Sequence, residues 1–356
     1  MKKIYFLLFT LSMMLVLAAC GNKEKKSYDE MGSDGITVRT ENLRSNLMSF
    51  TSKGVLIGQR YGTLEGIGWQ NDSDRSDFKE ICNDRPAVTG YELRGIESGK
   101  DYNPDNMQFK WIKANAVQFF KKGGLVTMTW TAPNPNGNDE LIKEWTRNLS
   151  KFLSSLQDGY GIKAPVALFL LPRNGNNWYD KLPHDEYTAL YHEIADELKE
   201  NEVTNVILGY SEACTDNEPL PSFKYYPEQV DVAVVNITYL QTQGKQNINA
   251  YRENLKNMLP KLSQFALDHN AVPGLTTGIE GVTDSSYFNQ VLLPAIKQTR
   301  LSYVMFGENH GDYKDGHFYT PYPGEGNDMI HGFMEFYNDP TTIFLSHLNG
   351  LYLKME

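Results

Sequence analysis

Eight short apolar runs, each bounded by glycine, proline, asparagine or charged residues, recur between residues 55 and 306 with room for a helix between most of them. They cover residues 55–59, 87–93, 125–131, 166–171, 206–210, 232–239, 272–277 and 303–306. Such runs read as strands buried on both faces. Amphipathic stretches separate them, at 139–156, 185–202 and 248–269 among others. In the first, Leu141, Ile142, Trp145, Leu149, Phe152 and Leu153 fall on one helical face. Strand and helix alternating eight times predicts a (β/α)8 TIM barrel, an α/β fold, as one domain over 36–356. No internal repeat or second domain is visible. Function in such a barrel sits on residues that follow the strands, and two long loops, 131–139 and 307–327, do follow strands.

The N-terminus carries an export signal. Lys2 and Lys3 precede an apolar run over 4–17, and Leu17-Ala18-Ala19-Cys20 ends it with two small residues before a cysteine. That is the pattern of a bacterial lipoprotein: residues 1–19 are removed and Cys20 receives the acyl chains that anchor it. An ordinary cleaved signal with a coincidental Cys20 is the alternative. Residues 20–35, rich in Lys, Glu, Ser, Asp and Gly, read as a flexible tether. An outer-membrane location follows as the expectation, on the cell surface or the periplasmic face.

Composition narrows the partners. The net charge is −10, or −12 once Lys2 and Lys3 are removed, and no basic stripe appears, which argues against nucleic acid. The seven histidines show no metal-ligand spacing, so neither metal nor cofactor is expected. Cys82 falls before a strand and Cys214 after one, on opposite ends of a barrel, so both are expected to be free thiols. Aromatics reach 12%, with 21 Tyr and 5 Trp, which is compatible with a sugar-binding cleft and also with a large core.

Several segments, in order, resemble glycoside hydrolase family 26, the β-mannanase family. Ile57-Gly58-Gln59 matches the family's Phe-Gly-His at the first strand, with the histidine replaced. Arg75-Ser76-Asp77, Pro86-Ala87-Val88 and Gly90-Tyr91-Glu92-Leu93 follow its second-strand region. Trp130 with Asn134-Pro135 fits a Trp-His-x-x-Asn-Pro segment, with Thr131 in place of the histidine, and Tyr239 falls where the family keeps a tyrosine. Ser302-Tyr303-Val304, the stretch from His317 through Tyr319 to Gly324, and Phe336-Tyr337-Asn338-Asp339-Pro340 match its closing region.

The resemblance implies a retaining mechanism carried by two glutamates, yet neither has a counterpart here. In Pro172-Arg173-Asn174-Gly175-Asn176-Asn177-Trp178, Arg173 stands at the acid/base position. In Leu275-Thr276-Thr277-Gly278, Thr276 stands at the nucleophile. Arginine stays protonated, and a threonine without a base attacks poorly. Glu92, Glu212, Glu280 and Glu308 lie near strand ends and are the carboxylates that could substitute, or could bind sugar hydroxyls and cap helices. No catalytic residue is therefore expected. Trp69, Trp130, Trp178, Tyr239 and Tyr319 are expected to form a glycan platform, joined by Asn134, Arg173 and Glu308; the alternative for the last two is an ion pair filling the former catalytic hole. Trp111 and Trp145 are expected in the core. The reading is a non-catalytic binder of β-mannan or a related polysaccharide, tethered to the membrane through Cys20 beside other components of a glycan-uptake system. An active endo-β-1,4-mannanase with displaced carboxylates is the alternative, and a scaffold without glycan affinity a third.

Overall fold

The computed structural model describes residues 29–72, 74–324 and 327–354. The signal sequence, Cys20 and residues 21–28 lie outside them.

Eight parallel strands close into a barrel. They are β1 (Val55–Arg60), β2 (Val88–Glu92), β3 (Leu125–Trp130), β4 (Val166–Leu170), β5 (Val206–Ala213), β6 (Val232–Gln241), β7 (Val272–Ile279) and β8 (Tyr303–Phe306). Each pairs with its sequence neighbour, and β8 returns to β1 through Leu56↔Tyr303 to Gln59↔Phe306. All eight expected strands are present, so the (β/α)8 barrel stands. Alternation sends every second side chain inward, and large residues face small ones there. The Phe169 ring lies where a Cβ on Gly209 would sit, at 2.5 Å, and the Tyr303 ring lies likewise against Gly274.

Helices α1 (Val38–Phe50), α2 (Asp77–Cys82), α3 (Phe109–Lys121), α4 (Glu140–Ser154), α5 (His184–Glu200), α6 (Ile248–Asp268), α7 (Leu293–Lys297) and α8 (Asn327–Tyr337) surround the barrel. Two features depart from an even βα repeat. No helix follows β5: Pro219, Pro221 and Pro227 break residues 214–231, and their loop covers the barrel with aromatic rings instead. Phe223 stacks on Phe265 of α6 at 4.0 Å, and Tyr226 meets the same ring edge-on at 5.1 Å.

The second departure is α1, which precedes the barrel and lies against its lower end. Thr37 caps it by accepting from the Thr40 amide, and the Thr37 amide donates to the Thr204 carbonyl just before β5. Its own Leu43, Leu47 and Phe50 are buried. The Asn46 amide nitrogen lies within hydrogen-bond distance of the Gly350, Leu351 and Leu353 carbonyls, tying in the C-terminal tail. Asp29, within the segment read as tether, already pairs with Arg39 at 2.9 Å and accepts from the Lys163 amide.

Cys82 and Cys214 are both buried free thiols, and burial pushes each up to about 12. Trp145 packs on the core as expected. Trp111 does not: it is 39% exposed on α3 with Lys110 over its ring, because its position faces away from the barrel.

Candidate functional site

The C-terminal ends of the strands form the candidate site. Its floor is a hydrogen-bonded set across four strands. Asn236 on β6 donates to Ser211 Oγ on β5 at 3.0 Å. Its carbonyl oxygen accepts from Tyr303 of β8 at 2.9 Å and from Thr276 of β7 at 3.3 Å. Thr276 is 4% exposed, and no carboxylate or imidazole is among its hydrogen-bond partners. Burial drives the Tyr303 phenol far above its usual range. The floor is therefore uncharged.

Charge gathers on the β1–β2–β8 side. Arg60 lies 3.1 Å from Asp105 and 3.4 Å from Glu308. Tyr61 donates to Asp105 at 2.6 Å and accepts from Asn103 and from the Glu92 amide. The Glu92 carboxylate accepts from the Arg94 amide at 2.9 Å and the Thr131 hydroxyl at 3.0 Å. Burial raises Glu92, and these hydrogen bonds together with the Arg60 charge offset part of the rise. Glu65, on the short hairpin Glu65–Gly66/Trp69–Gln70 that follows β1, is pushed up to about 7 by burial and then by the charge of Glu308. The sequence reading missed Arg60, Glu65 and Asp105. Only their positions after β1 and β2 could have suggested them.

Arg173 lies on the other side, so the alternative in which it pairs with Glu308 is not realised. Leu171 has a positive φ of 47° and Pro172 follows it, so the chain turns after β4. Arg173 then pairs through its backbone with β5, its amide donating to the Ser211 carbonyl and its carbonyl accepting from the Ala213 amide. Its guanidinium is 3.5 Å from the Tyr225 ring centroid, 4.9 Å from that of Tyr187, and donates to the Asp180 carbonyl at 3.2 Å. Glu308 belongs to Arg60 instead, because β8 abuts β1.

The proposed aromatic platform divides. Trp130 is fully buried on the outer face of β3, its indole donating to Glu97 at 3.2 Å. Tyr239 is buried, stacked on Tyr251 at 5.2 Å and donating to Asp216. Trp69 is buried and donates to Asp77 at 2.8 Å. These three present no face to a sugar, since each ring is spent on packing. Asp77 also accepts from Asn309 at 2.8 Å, which makes it the joint between the hairpin, α2 and the β8 loop. Trp178 is half-buried and donates to the Ala132 carbonyl at 3.0 Å. Tyr319 lies across the ends of β7 and β8, where a Cβ on Gly278 would meet its ring at 2.7 Å and one on Gly307 would overlap it. Asn134 is exposed and accepts from the Asn136 amide within its own loop.

The other carboxylates are engaged locally. Glu212 accepts from Tyr210 at 2.7 Å and from the Ser222 amide at 2.6 Å, pinning the β5–β6 loop. Glu280 accepts from the Gln243 amide and pairs with His317. Among the described residues no cluster of three His, Cys, Asp or Glu could hold a metal ion. A groove of about 1690 Å³ at the opposite end of the barrel contains none of these residues.

No family model and no curated protein matches the sequence. Solved structures do. A family 26 β-mannanase from Bacteroides ovatus is 28% identical, with a TM-score of 0.81 over 90% of this chain and 98% of that one. A family 26 protein from Muricauda sp. is 19% identical, with a TM-score of 0.74 over 90% and 95%. The catalytic domain of a family 26 endo-β-1,4-mannanase from Bacillus sp. is 20% identical, with a TM-score of 0.73 over 93% and 98%. The chain is a (β/α)8 barrel that resembles the family 26 β-mannanases along almost its whole folded length.

Proposed function

We propose that this protein captures a β-mannan-type polysaccharide at the barrel rim without cleaving it. One observation carries the reading. The two positions where the resemblance puts the catalytic glutamates hold Thr276, bonded into an uncharged floor, and Arg173, held over two tyrosine rings. A retaining glycosidase needs one carboxyl to protonate the leaving oxygen and one to attack the anomeric carbon. Capture needs only shape, hydrogen bonds and ring faces. Trp178 and the polar wall of Arg60, Glu92 and Glu308 supply these.

The test pairs two measurements on one preparation: reducing-end release from mannan, galactomannan, xylan and mixed-linkage glucan, and affinity electrophoresis in gels of the same polymers. The expected result is retardation by a β-mannan with no product. Turnover above about one per second, an ordinary enzymatic rate, refutes capture without cleavage.

A second reading has a specific observation behind it. Glu65, pushed up to about 7, lies beside Glu308, which is held by Arg60. A carboxyl raised toward neutral pH by burial and a neighbouring carboxylate suits the general acid of a glycosidase. If hydrolysis is found, Glu65→Gln and Glu308→Gln should each abolish it.

The protein is further proposed to be an outer-membrane lipoprotein working beside other glycan-uptake components. The Leu17-Ala18-Ala19-Cys20 motif supports this. Cys20→Ala should leave the membrane fraction on cell fractionation, and unchanged detergent partitioning would contradict the anchor.

A further inference from the structure

The β8 loop carries an aromatic side chain that neither the core nor the central cleft uses. Tyr313 is 57% exposed. Its loop is nonetheless held tightly. His310 and His317 bridge across it with backbone hydrogen bonds of 2.9 and 2.8 Å. Asp312 accepts from the Lys314 and Asp315 amides. Gly68, at φ +74° on the turn of the β1 hairpin, leaves room for the Tyr313 ring, which a Cβ there would meet at 2.5 Å. Tyr322 lies 6.2 Å from Tyr313, and Phe318 lies 5.2 Å from Tyr322, edge-on. Both are half-buried. Phe318 adjoins Tyr319 at the barrel mouth, so the rings lead from the mouth outward over the rim.

We propose that Tyr313, with Tyr322 and Phe318, is a distal sugar-binding strip that takes units of a β-1,4-linked chain beyond those in the central cleft. This rests on the capture reading above and extends it along the polymer. An exposed ring on a tightly bonded loop gains little for folding, but it binds with little ordering cost because the loop is already set. The C–H faces of pyranoses suit such a ring. Around the strip Arg75 is already paired with Glu80, and Asp312 and Asp315 outnumber Lys314, so a neutral glycan fits better than an anionic one.

The experiment uses the full chain and its Tyr313→Ala, Tyr313→Phe and Tyr322→Ala variants. Affinity electrophoresis measures retention by soluble galactomannan, and calorimetry measures binding of a short and a long manno-oligosaccharide. Tyr313→Ala should weaken retention by the polymer and the long oligosaccharide about tenfold, the scale of one lost ring contact. It should bind the short oligosaccharide like the parent and unfold at the same temperature. Tyr313→Phe should restore polymer binding, and Tyr322→Ala should weaken it by a smaller factor. A Tyr313→Ala variant retained like the parent overturns the strip and leaves capture standing. Equal losses on short and long ligands overturn its distal placement. A parent that binds none of these ligands overturns capture, and the strip with it.

Discussion

Residue identity at this rim matters less than the face each residue occupies. Trp130 and Thr131 are neighbours, yet the indole packs outward against Glu97 while Thr131 bonds to Glu92 at the site. A period of two makes such assignments sensitive to a single step, which is why the sequence marked Trp69, Trp130 and Tyr239 as rim aromatics without showing that they face away. Trp130→Ala should therefore cost about 3–5 kcal/mol of stability in chemical denaturation, the usual scale for a deleted buried aromatic. The folded fraction should bind glycan like the parent. Trp178→Ala should do the reverse, weakening polymer retention about tenfold with little change in unfolding midpoint. Glu65 gives a pH signature. Its folded carboxyl titrates near 7 against an ordinary 4.5. Between those values the unfolded chain has released the proton and the folded one keeps it, so stability falls as pH rises through the window. Glu65→Gln should flatten that slope in denaturant titrations between pH 4.5 and 7.

Elements were legible where a pattern was complete within one segment. All eight strands and the helices α4, α5 and α6 could be read from their apolar spacing, because each buries a full face or stripe. The missing helix after β5 was signalled by its prolines, but the eightfold alternation overrode them. Helix α1 was obscured by its composition: Thr40 and Asn46 are buried beside Leu43, Leu47 and Phe50, so its inward face is partly polar. Its role depends on distant partners, Thr204 and the C-terminal tail, which no local pattern reveals. Leu47→Ala should cost about 2–5 kcal/mol, as truncation of a buried leucine does. The measurement is thermal unfolding, with glycan binding at low temperature unchanged because α1 lies at the end away from the rim.

At the scale of the whole molecule, the barrel is stitched at its centre by one neutral amide. Asn236 holds β5, β7 and β8 to β6 through Ser211, Thr276 and Tyr303. That stitch opposes a carboxylate at position 276. A glutamate at position 276 would bring its oxygens toward the Asn236 carbonyl, which now accepts from Thr276 and Tyr303. Turning the amide over to meet it would withdraw the acceptor from Tyr303 and the donor from Ser211. The new carboxyl would be buried, which favours its protonated form. The double change Arg173→Glu and Thr276→Glu should accordingly give no reducing ends from mannan. Its unfolding temperature should drop further below the parent's at pH 8 than at pH 5, since ionisation is what the interior resists. Measurable turnover from that pair with Asn236 untouched would show that the stitch does not oppose it. As the hydrogen bonds stand, carboxylates at positions 173 and 276 would meet a third obstacle: the Asn236 carbonyl, held toward position 276 by Tyr303, favours the protonated acid over a nucleophilic carboxylate.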